Sequence, residues 1–228
     1  MPSTLGVVAS HRVAPFTPTG IAGLELWFDA DDAAKVTHTA GDVTAWGNKG
    51  TRSTSFLHNF AADAPRWGDV TRNGRNTMNY ARNDAMRLGG TFTIPHPLTI
   101  MFALKLNAKT AASHISDEGS AGRVLISGET SWLMWAGGSF VDSGVASNLN
   151  WHVLTCIFNG TSSRIRLDGT QIYGGATSPG TVAVADGWRV PGQSTTNLTL
   201  GEVLVYNTAL SGSNLTNLEN WSKARWAI

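Results

Sequence analysis

Cysteine is almost absent from this 228-residue sequence, and the single Cys156 excludes a disulfide within the chain. It lies in the apolar run WHVLTCIF, which predicts a buried free thiol. Charged residues make up only 14% of the chain, against about 25% in typical soluble domains, and the formal net charge is +1. Such a balance offers no basic patch for nucleic acid or for an acidic membrane surface, and we expect neither as a partner.

Targeting segments and several catalytic motifs are missing as well. The N-terminal residues contain no basic segment followed by an apolar run, so we expect synthesis in the cytosol without a secretion signal. No stretch is long and apolar enough to span a membrane. There is no Gly-x-Ser-x-Gly nucleophile elbow and no Walker or Rossmann glycine pattern. None of the six histidines stands at metal-ligand spacing from another.

The sequence does contain a series of short alternating strands separated by turn residues, the pattern of an antiparallel β-sandwich. Hairpin turns are indicated at Gly128-Glu129, Asn159-Gly160 and Asp168-Gly169, of which the Asp-Gly pair is the strongest signal. Residues 51–87 are polar and irregular, and we expect residues 107–122 to form a loop. The predicted strands are 24–29, 98–106, 123–127, 131–135, 151–158, 163–167, 171–173 and 198–206.

The two ends of the chain differ in character. Residues 1–19 contain three prolines and little periodicity, which predicts an extended N-terminal arm. After the last predicted strand, Ser211 or Ser213 is placed to cap a short amphipathic helix that carries Leu215 and Leu218 on one face. Because no linker or repeat interrupts residues 20–228, we expect them to form one domain.

Six stretches of the sequence match one family: GLELWFDA at 23–30, VTAWGNKG at 43–50, WHVLTCIFNGTSSRIRLDGTQI at 151–172, GEVLVYN at 201–207, ALS at 209–211 and WSKARW at 221–226. Together they resemble concanavalin A-like lectin/glucanase domains of the laminin G-like kind. The family's second landmark usually reads Val-x-x-Trp-x-Asp-x-Ser, and Asn48 and Gly50 depart from it here. The resemblance implies a two-sheet antiparallel jelly roll with a short C-terminal helix, which is also what the strand pattern predicts.

Carboxylate side chains could serve catalysis or calcium binding. Glycoside hydrolases of this fold carry a Glu-x-Asp-x-(x)-Glu run on one strand, and no such run occurs here. Glu202 stands alone in its strand, so we expect it to accept hydrogen bonds from a neighbouring loop, and we expect no enzyme. Laminin G-like domains often bind calcium at a loop edge, which makes Asp29, Asp31 and Asp32 the candidate calcium ligands of an otherwise cofactor-free protein.

Sugar binding needs exposed aromatic faces with polar neighbours. Trp132 and Trp135 point to opposite faces of one strand, so one of them is expected in the core and the other exposed. Trp67 and Trp188 lie in loop-like surroundings, and they complete the set of candidate platform residues. The alternative is that all four anchor the core or an interface. We assign the remaining five tryptophans to packing.

Three functions follow from this set of residues. The first is a non-catalytic structural or adhesion module of a bacteriophage particle, since single laminin G-like domains with an arm and low charge resemble head-decoration, head-fibre and minor tail proteins. Its partners are then other virion proteins, further copies of the chain and host-surface glycans, and its location is the virion surface. The second is a stand-alone carbohydrate-binding module. The third is a glycoside hydrolase, which the missing carboxylate run disfavours.

Overall fold

The computed structural model describes residues 16–57, 64–81, 84–109, 113–117, 124–192 and 196–228. Within them the chain is all-β with one α-helix, α1, at Gly212–Trp226, and three short 3-10 helices at Pro18–Gly20, Ala33–Lys35 and Gly160–Ser162. The strands are β1 Leu24–Asp29, β2 Val36–Thr39, β3 Asp42–Gly47, β4 Ser55–Leu57, β5 Arg66–Arg72, β6 Arg75–Tyr80, β7 Met86–Leu88, β8 Thr93–Ile94, β9 Leu98–Leu106, β10 His114–Ser116, β11 Leu125–Ser127, β12 Ser131–Trp135, β13 Val141–Ala146, β14 Trp151–Phe158, β15 Arg164–Leu167, β16 Thr170–Tyr173, β17 Val184–Ala185, β18 Arg189–Val190 and β19 Leu198–Tyr206.

The first layer is built around β19. One edge of β19 pairs antiparallel with β9 from Leu198 to Tyr206. Its other edge is shared, because Leu198–Leu200 pair with β6 and the stretch from Glu202 onward pairs with β1. Beyond β9 the sheet continues through β14, β15 and β16. The predicted closing strand is therefore the centre of its sheet.

The second layer closes the sandwich. From β6 the larger sheet runs through β5, β3, β4 and β7 to β18, and a four-stranded sheet of order β10-β11-β12-β13 lies beside it, joined by a bridge between Asp117 and Arg189. Aromatic side chains fill the space between the layers. The ring centroid of Phe28 in β1 lies 4.3 Å from that of Phe56 in β4, and the ring centroid of Phe102 in β9 lies 6.4 Å from that of Trp188. The antiparallel two-layer sandwich predicted from the sequence is confirmed.

Helix α1 covers the outer face of the first layer, so β9 and β19 are buried on both faces. Ser211 occupies the N-cap position, but its hydroxyl makes no capping hydrogen bond, so the predicted side-chain cap is not formed by it. Leu215 and Leu218 pack into a second apolar cluster. Trp226 is fully buried against Gly201, where an added Cβ would lie 2.5 Å from its indole. The absence of a side chain at Gly201 is what admits the tryptophan.

Two segments expected to be irregular contain strands. Residues 51–87 include β4, β5 and β6, and residues 107–122 include the short strand β10. Both predictions were wrong for the same reason. The side chains of β5 are mostly polar because the strand is largely solvent-facing, and β10 has only three residues, so neither carries an apolar alternation.

The predicted arm falls mostly outside the described residues, which begin at Phe16. Its described end lies against the domain itself. The Phe16 ring lies 6.2 Å from that of Trp221 on α1, and the Tyr206 hydroxyl donates to the carbonyl of Pro18 over 3.1 Å. Among the helices of the described residues, none is long and apolar enough to cross a membrane.

Candidate functional site

A pair of aromatic rings, one half-buried and one exposed, lies at the end of β12 and in the turn after it. Side chains alternate along this strand, so Trp132 and Met134 point inward and are fully buried while Leu133 and Trp135 point outward and are half-buried. The turn that follows presents Phe140, which is 64% exposed, the largest exposed fraction among the large apolar side chains described. We call Trp135 and Phe140 the aromatic platform.

The two rings of the platform stack on each other. Their centroids are 5.8 Å apart with an interplanar angle of 24°. The indole Nε1 of Trp135 donates to the carbonyl of Gly138 over 2.7 Å, which fixes the ring and satisfies its one polar atom. What remains available is apolar ring surface at the protein surface, the kind of face on which the C–H face of a sugar ring stacks.

The turn that carries the platform is held by a neighbouring segment. The amides of Ala136 and Gly138 both donate to the carbonyl of Pro179, over 2.6 and 2.9 Å, and the amide of Val182 donates back to Ala136 over 2.9 Å. The approach is so close that a Cβ on Gly180 would lie 2.0 Å from the carbonyl oxygen of Ala136. These backbone contacts set the position of the platform before any ligand arrives.

A polar group accompanies the rings on the same face. Asp142 of β13 pairs with Leu133 of β12, and Leu133 points outward like Trp135. The Oδ1 atom of Asp142 accepts hydrogen bonds from the hydroxyl of Ser131 over 2.6 Å and from the amide of Gly144 over 2.8 Å. Asp142 is exposed, so this oriented carboxylate is an acceptor that a sugar hydroxyl can reach from solvent.

The structure separates the four predicted platform tryptophans. Trp132 and Trp188 are fully buried in the main core, as the alternative of core anchors predicts, so neither can be a platform residue, and of the β12 pair only Trp135 is available. Trp67 is half-buried: its ring lies 4.7 Å from that of His38, and its Nε1 donates to the carbonyl of Ala30 over 2.7 Å. Sequence reasoning missed Phe140, although the preceding Gly137-Gly138-Ser139 signals a turn that would expose it.

The predicted calcium ligands form an ion-pair network instead. Lys49 Nζ lies 2.9 Å from a carboxylate oxygen of Asp29 and 2.9 Å from one of Asp32. Arg225 Nη2 lies 2.8 Å from Asp29 Oδ1 and 3.3 Å from Asp31 Oδ2, and Arg75 pairs with Asp31 as well. In the described part of the chain no group of three or more His, Cys, Asp or Glu side chains could hold a metal ion. The predicted cation site was therefore wrong, because side-chain cations already neutralise its carboxylates.

Glu202 is a structural residue, although its partner is not on a loop. It is fully buried, and its Oε1 accepts a hydrogen bond from the hydroxyl of Ser222 on α1 over 2.6 Å. The pKa of Glu202 is raised to about 7, mainly by burial; the hydrogen bond from Ser222 and the charge of Arg225 oppose this increase, and the carboxylate of Asp29 adds to it. Since none of its surface is exposed, this carboxyl group cannot contact a ligand.

Comparisons with known proteins show the fold of the chain. No protein-family model and no curated protein sequence matches it. Among solved structures, it is similar to a sialidase from Trypanosoma rangeli, with a TM-score of 0.58 and 12% identity over 90% of this chain. The chain spans only 35% of the length of that sialidase.

Two other similar structures are separate domains. Domain 4 of AbnA, a GH43 extracellular arabinanase from Geobacillus stearothermophilus, aligns with a TM-score of 0.63 and 11% identity, covering 86% of this chain and 98% of that domain. The binding domain of Paraclostridial Mosquitocidal Protein 1 aligns with a TM-score of 0.59 and 11% identity, covering 87% of this chain and 52% of that one. At such identities the likeness concerns the β-sandwich fold.

Proposed function

We propose that this domain is a non-catalytic carbohydrate-binding module whose ligand stacks on Trp135 and Phe140. The observation that carries the proposal is the pair of stacked rings at the protein surface, whose turn is held by backbone hydrogen bonds to a neighbouring segment. The oriented carboxylate of Asp142 lies on the same face. Aromatic faces bind the C–H faces of sugar rings, and a neighbouring acceptor then orients the hydroxyl groups. Because the platform is preformed, little ordering of the protein opposes binding.

The structural neighbours support a glycan as the ligand. The AbnA domain was solved in complex with arabinotriose, and the mosquitocidal structure is of that protein's binding domain. The chain covers almost the whole length of the AbnA domain, so the likeness is to one complete module. The arabinanase and sialidase names describe larger proteins, and their reactions are not part of the proposal.

The absence of catalysis is supported by the state of the carboxylates that sequence reasoning considered. Glu202 is enclosed between β19 and α1, and Asp29 is held by Lys49 and Arg225. Most glycosidases use two carboxyl groups on either side of an accessible sugar bond. None of the three predicted aspartates, nor Glu202, lies on the platform.

The biological setting is a separate proposal. The sequence resemblance supports a place on the surface of a bacteriophage particle, with synthesis in the host cytosol and with virion proteins and further copies of this chain as partners. The structural neighbours named above are not phage proteins. A glycan-binding platform is compatible with adhesion of such a particle to host glycans.

The test is binding of the purified chain to a glycan array, followed by calorimetric titration of the best glycan. We expect Trp135→Ala and Phe140→Ala each to weaken binding about fivefold to thirtyfold, since a stacking contact contributes about 1–2 kcal/mol. Leu149→Ala is the matched control, because it removes a 46% exposed apolar side chain outside the platform. The proposal would be overturned if the chain bound no glycan on the array, or if all three variants bound the glycan with the same affinity as the parent chain.

A further inference from the structure

An open groove of about 520 Å³ lies where β3 ends and β4 begins. Its wall includes Lys35, Asn48, Arg52, Ser53 and Ser55, with Gly89 after β7 on the far side. The groove is distinct from the aromatic platform. Segment 178–188 runs between the two, since it contacts the platform turn at Pro179 and pairs with Leu88 at Gly187.

Part of the groove wall is committed to the fold. The side chain of Asn48 has four partners: its Oδ1 accepts from the amides of Trp27 and Gly50, and its Nδ2 donates to the carbonyls of Glu25 and Arg52. The hydroxyl of Thr54 donates to the carbonyl of Gly89. These bonds hold the loop after β3 in place, so the groove has a rigid base.

Other groups in the wall have no such commitment. Lys35 is exposed and forms no salt bridge within 4 Å among the described residues, although its charge helps to lower the pKa of Asp32. Its aliphatic chain rests on Gly47, where an added Cβ would lie 3.3 Å from the lysine Cδ. The hydroxyls of Ser53 and Ser55 make no hydrogen bond within the described part of the chain. The ammonium group of Lys35 and the hydroxyls of Ser53 and Ser55 therefore line the groove with hydrogen-bonding capacity that the fold does not use.

Arg52 adds hydrogen-bond donors with a fixed position. Its Nε lies 2.5 Å from Glu25 Oε2, which balances its charge, and its guanidinium lies 5.9 Å from the centroid of the Phe92 ring. A guanidinium carries five N–H donors, and the pair with Glu25 engages only Nε. No carboxylate belongs to the groove wall itself. The groove thus combines the ammonium group of Lys35 with guanidinium N–H donors and hydroxyl groups, and it has the size of a small-ligand site.

We propose that this groove binds an acidic sugar, meaning a polyhydroxylated ring that carries a carboxylate. Lys35 would receive the carboxylate, and Ser53 and Ser55 would exchange hydrogen bonds with the ring hydroxyls. The inference goes beyond the proposed function because it concerns other residues and another ligand charge. It stands or falls independently of the aromatic platform.

The test compares D-glucuronate with D-glucose, which differ at the carboxylate, by titration followed through the amide resonances of the full chain. We expect glucuronate to shift resonances around residues 53–55 and 89–90 and glucose to bind more weakly. Lys35→Gln should weaken glucuronate binding about fivefold to tenfold, whereas Lys35→Arg should retain it. Arg164→Gln is the charge-matched control, because Arg164 is exposed on β15.

Three results would overturn the inference. The first is equal affinity for glucuronate and glucose, and the second is unchanged glucuronate affinity in Lys35→Gln. The third is acetate binding as tightly as glucuronate, which would leave an anion contact without sugar recognition. Trp135→Ala separates this inference from the proposed function, since it should weaken binding at the platform and leave the groove resonances responding to glucuronate as before.

Discussion

Asp29 of β1 and Glu202 of β19 lie directly opposite each other in an antiparallel pair, and both are buried. Two like charges at such a position repel each other and destabilise a sheet. Two features of the structure reduce this repulsion. Asp29 is held by Arg225 and Lys49, and Glu202 has its pKa raised to about 7 by burial and by the neighbouring Asp29.

The raised pKa of Glu202 predicts a falling stability between about pH 4.5 and pH 7. Over that range the folded state keeps a proton that the unfolded state has lost, so the free energy of unfolding decreases as pH rises and the full penalty applies above pH 7. Glu202→Gln removes this ionisation and should stabilise the chain at pH 8 by at most about 3 kcal/mol, with little effect at pH 4. Urea unfolding across this range checks it, and parallel pH profiles for parent and variant would contradict it.

Arg225 is predicted to stabilise the fold through Asp29. Arg225→Met leaves a carboxylate that is only 2% exposed with Lys49 as its remaining cation, which should cost about 2–4 kcal/mol. Arg164→Met removes a charge from an exposed position of β15 and should change stability by less than about 0.5 kcal/mol. Chemical denaturation measures both, and equal losses would show that the network around Asp29 contributes nothing specific.

Calcium is predicted to leave the melting temperature unchanged. A ligand that binds only the folded state raises the melting temperature as its concentration rises. Since Lys49, Arg75 and Arg225 already pair with the three aspartates, there is no net negative charge for a divalent cation to neutralise. A saturating increase in melting temperature with calcium, reversed by a chelator, would show that this reasoning fails.

Gly180 is predicted to determine the position of the turn that carries the platform. Its φ of +106° already disfavours a side chain, and an added Cβ would lie 2.3 Å from the amide nitrogen of Gly138. Gly180→Ala should therefore displace the turn, cost about 1–3 kcal/mol of stability and weaken glycan binding. Gly187→Ala is the matched control: φ is also positive there, but nothing lies within 4 Å of its added Cβ. Equal glycan affinity in the two variants would count against a preformed platform.

Local pattern was sufficient to predict much of the fold. Strands β9, β14 and β19 occupy the predicted residues, and Asp168 and Gly169 both take positive φ values, as a tight hairpin turn requires. Alternation also placed one of Trp132 and Trp135 in the core and the other outside, as found. These features depend on neighbouring residues, which a sequence displays directly.

The failures concern contacts between distant residues. Trp188 lies in loop-like sequence and was therefore a candidate platform residue, yet Phe56 and Phe102 from other strands pack against it in the core. Asp29 and Asp31 looked like a free oxygen cluster because one of their partners, Arg225, lies almost two hundred positions later. Tertiary packing decides burial and charge at such sites, and local periodicity does not report it.

The position of β19 in the sandwich also has a consequence for how the polypeptide is made. β1, β6 and β9 each pair with this strand, which leaves the ribosome after every other strand described here. Until residues 198–206 emerge, the growing chain presents unpaired strand edges and the apolar face that α1 will cover. The sandwich therefore assembles late in synthesis, and an incomplete chain that stops before β19 would be prone to aggregate rather than to form a smaller stable domain.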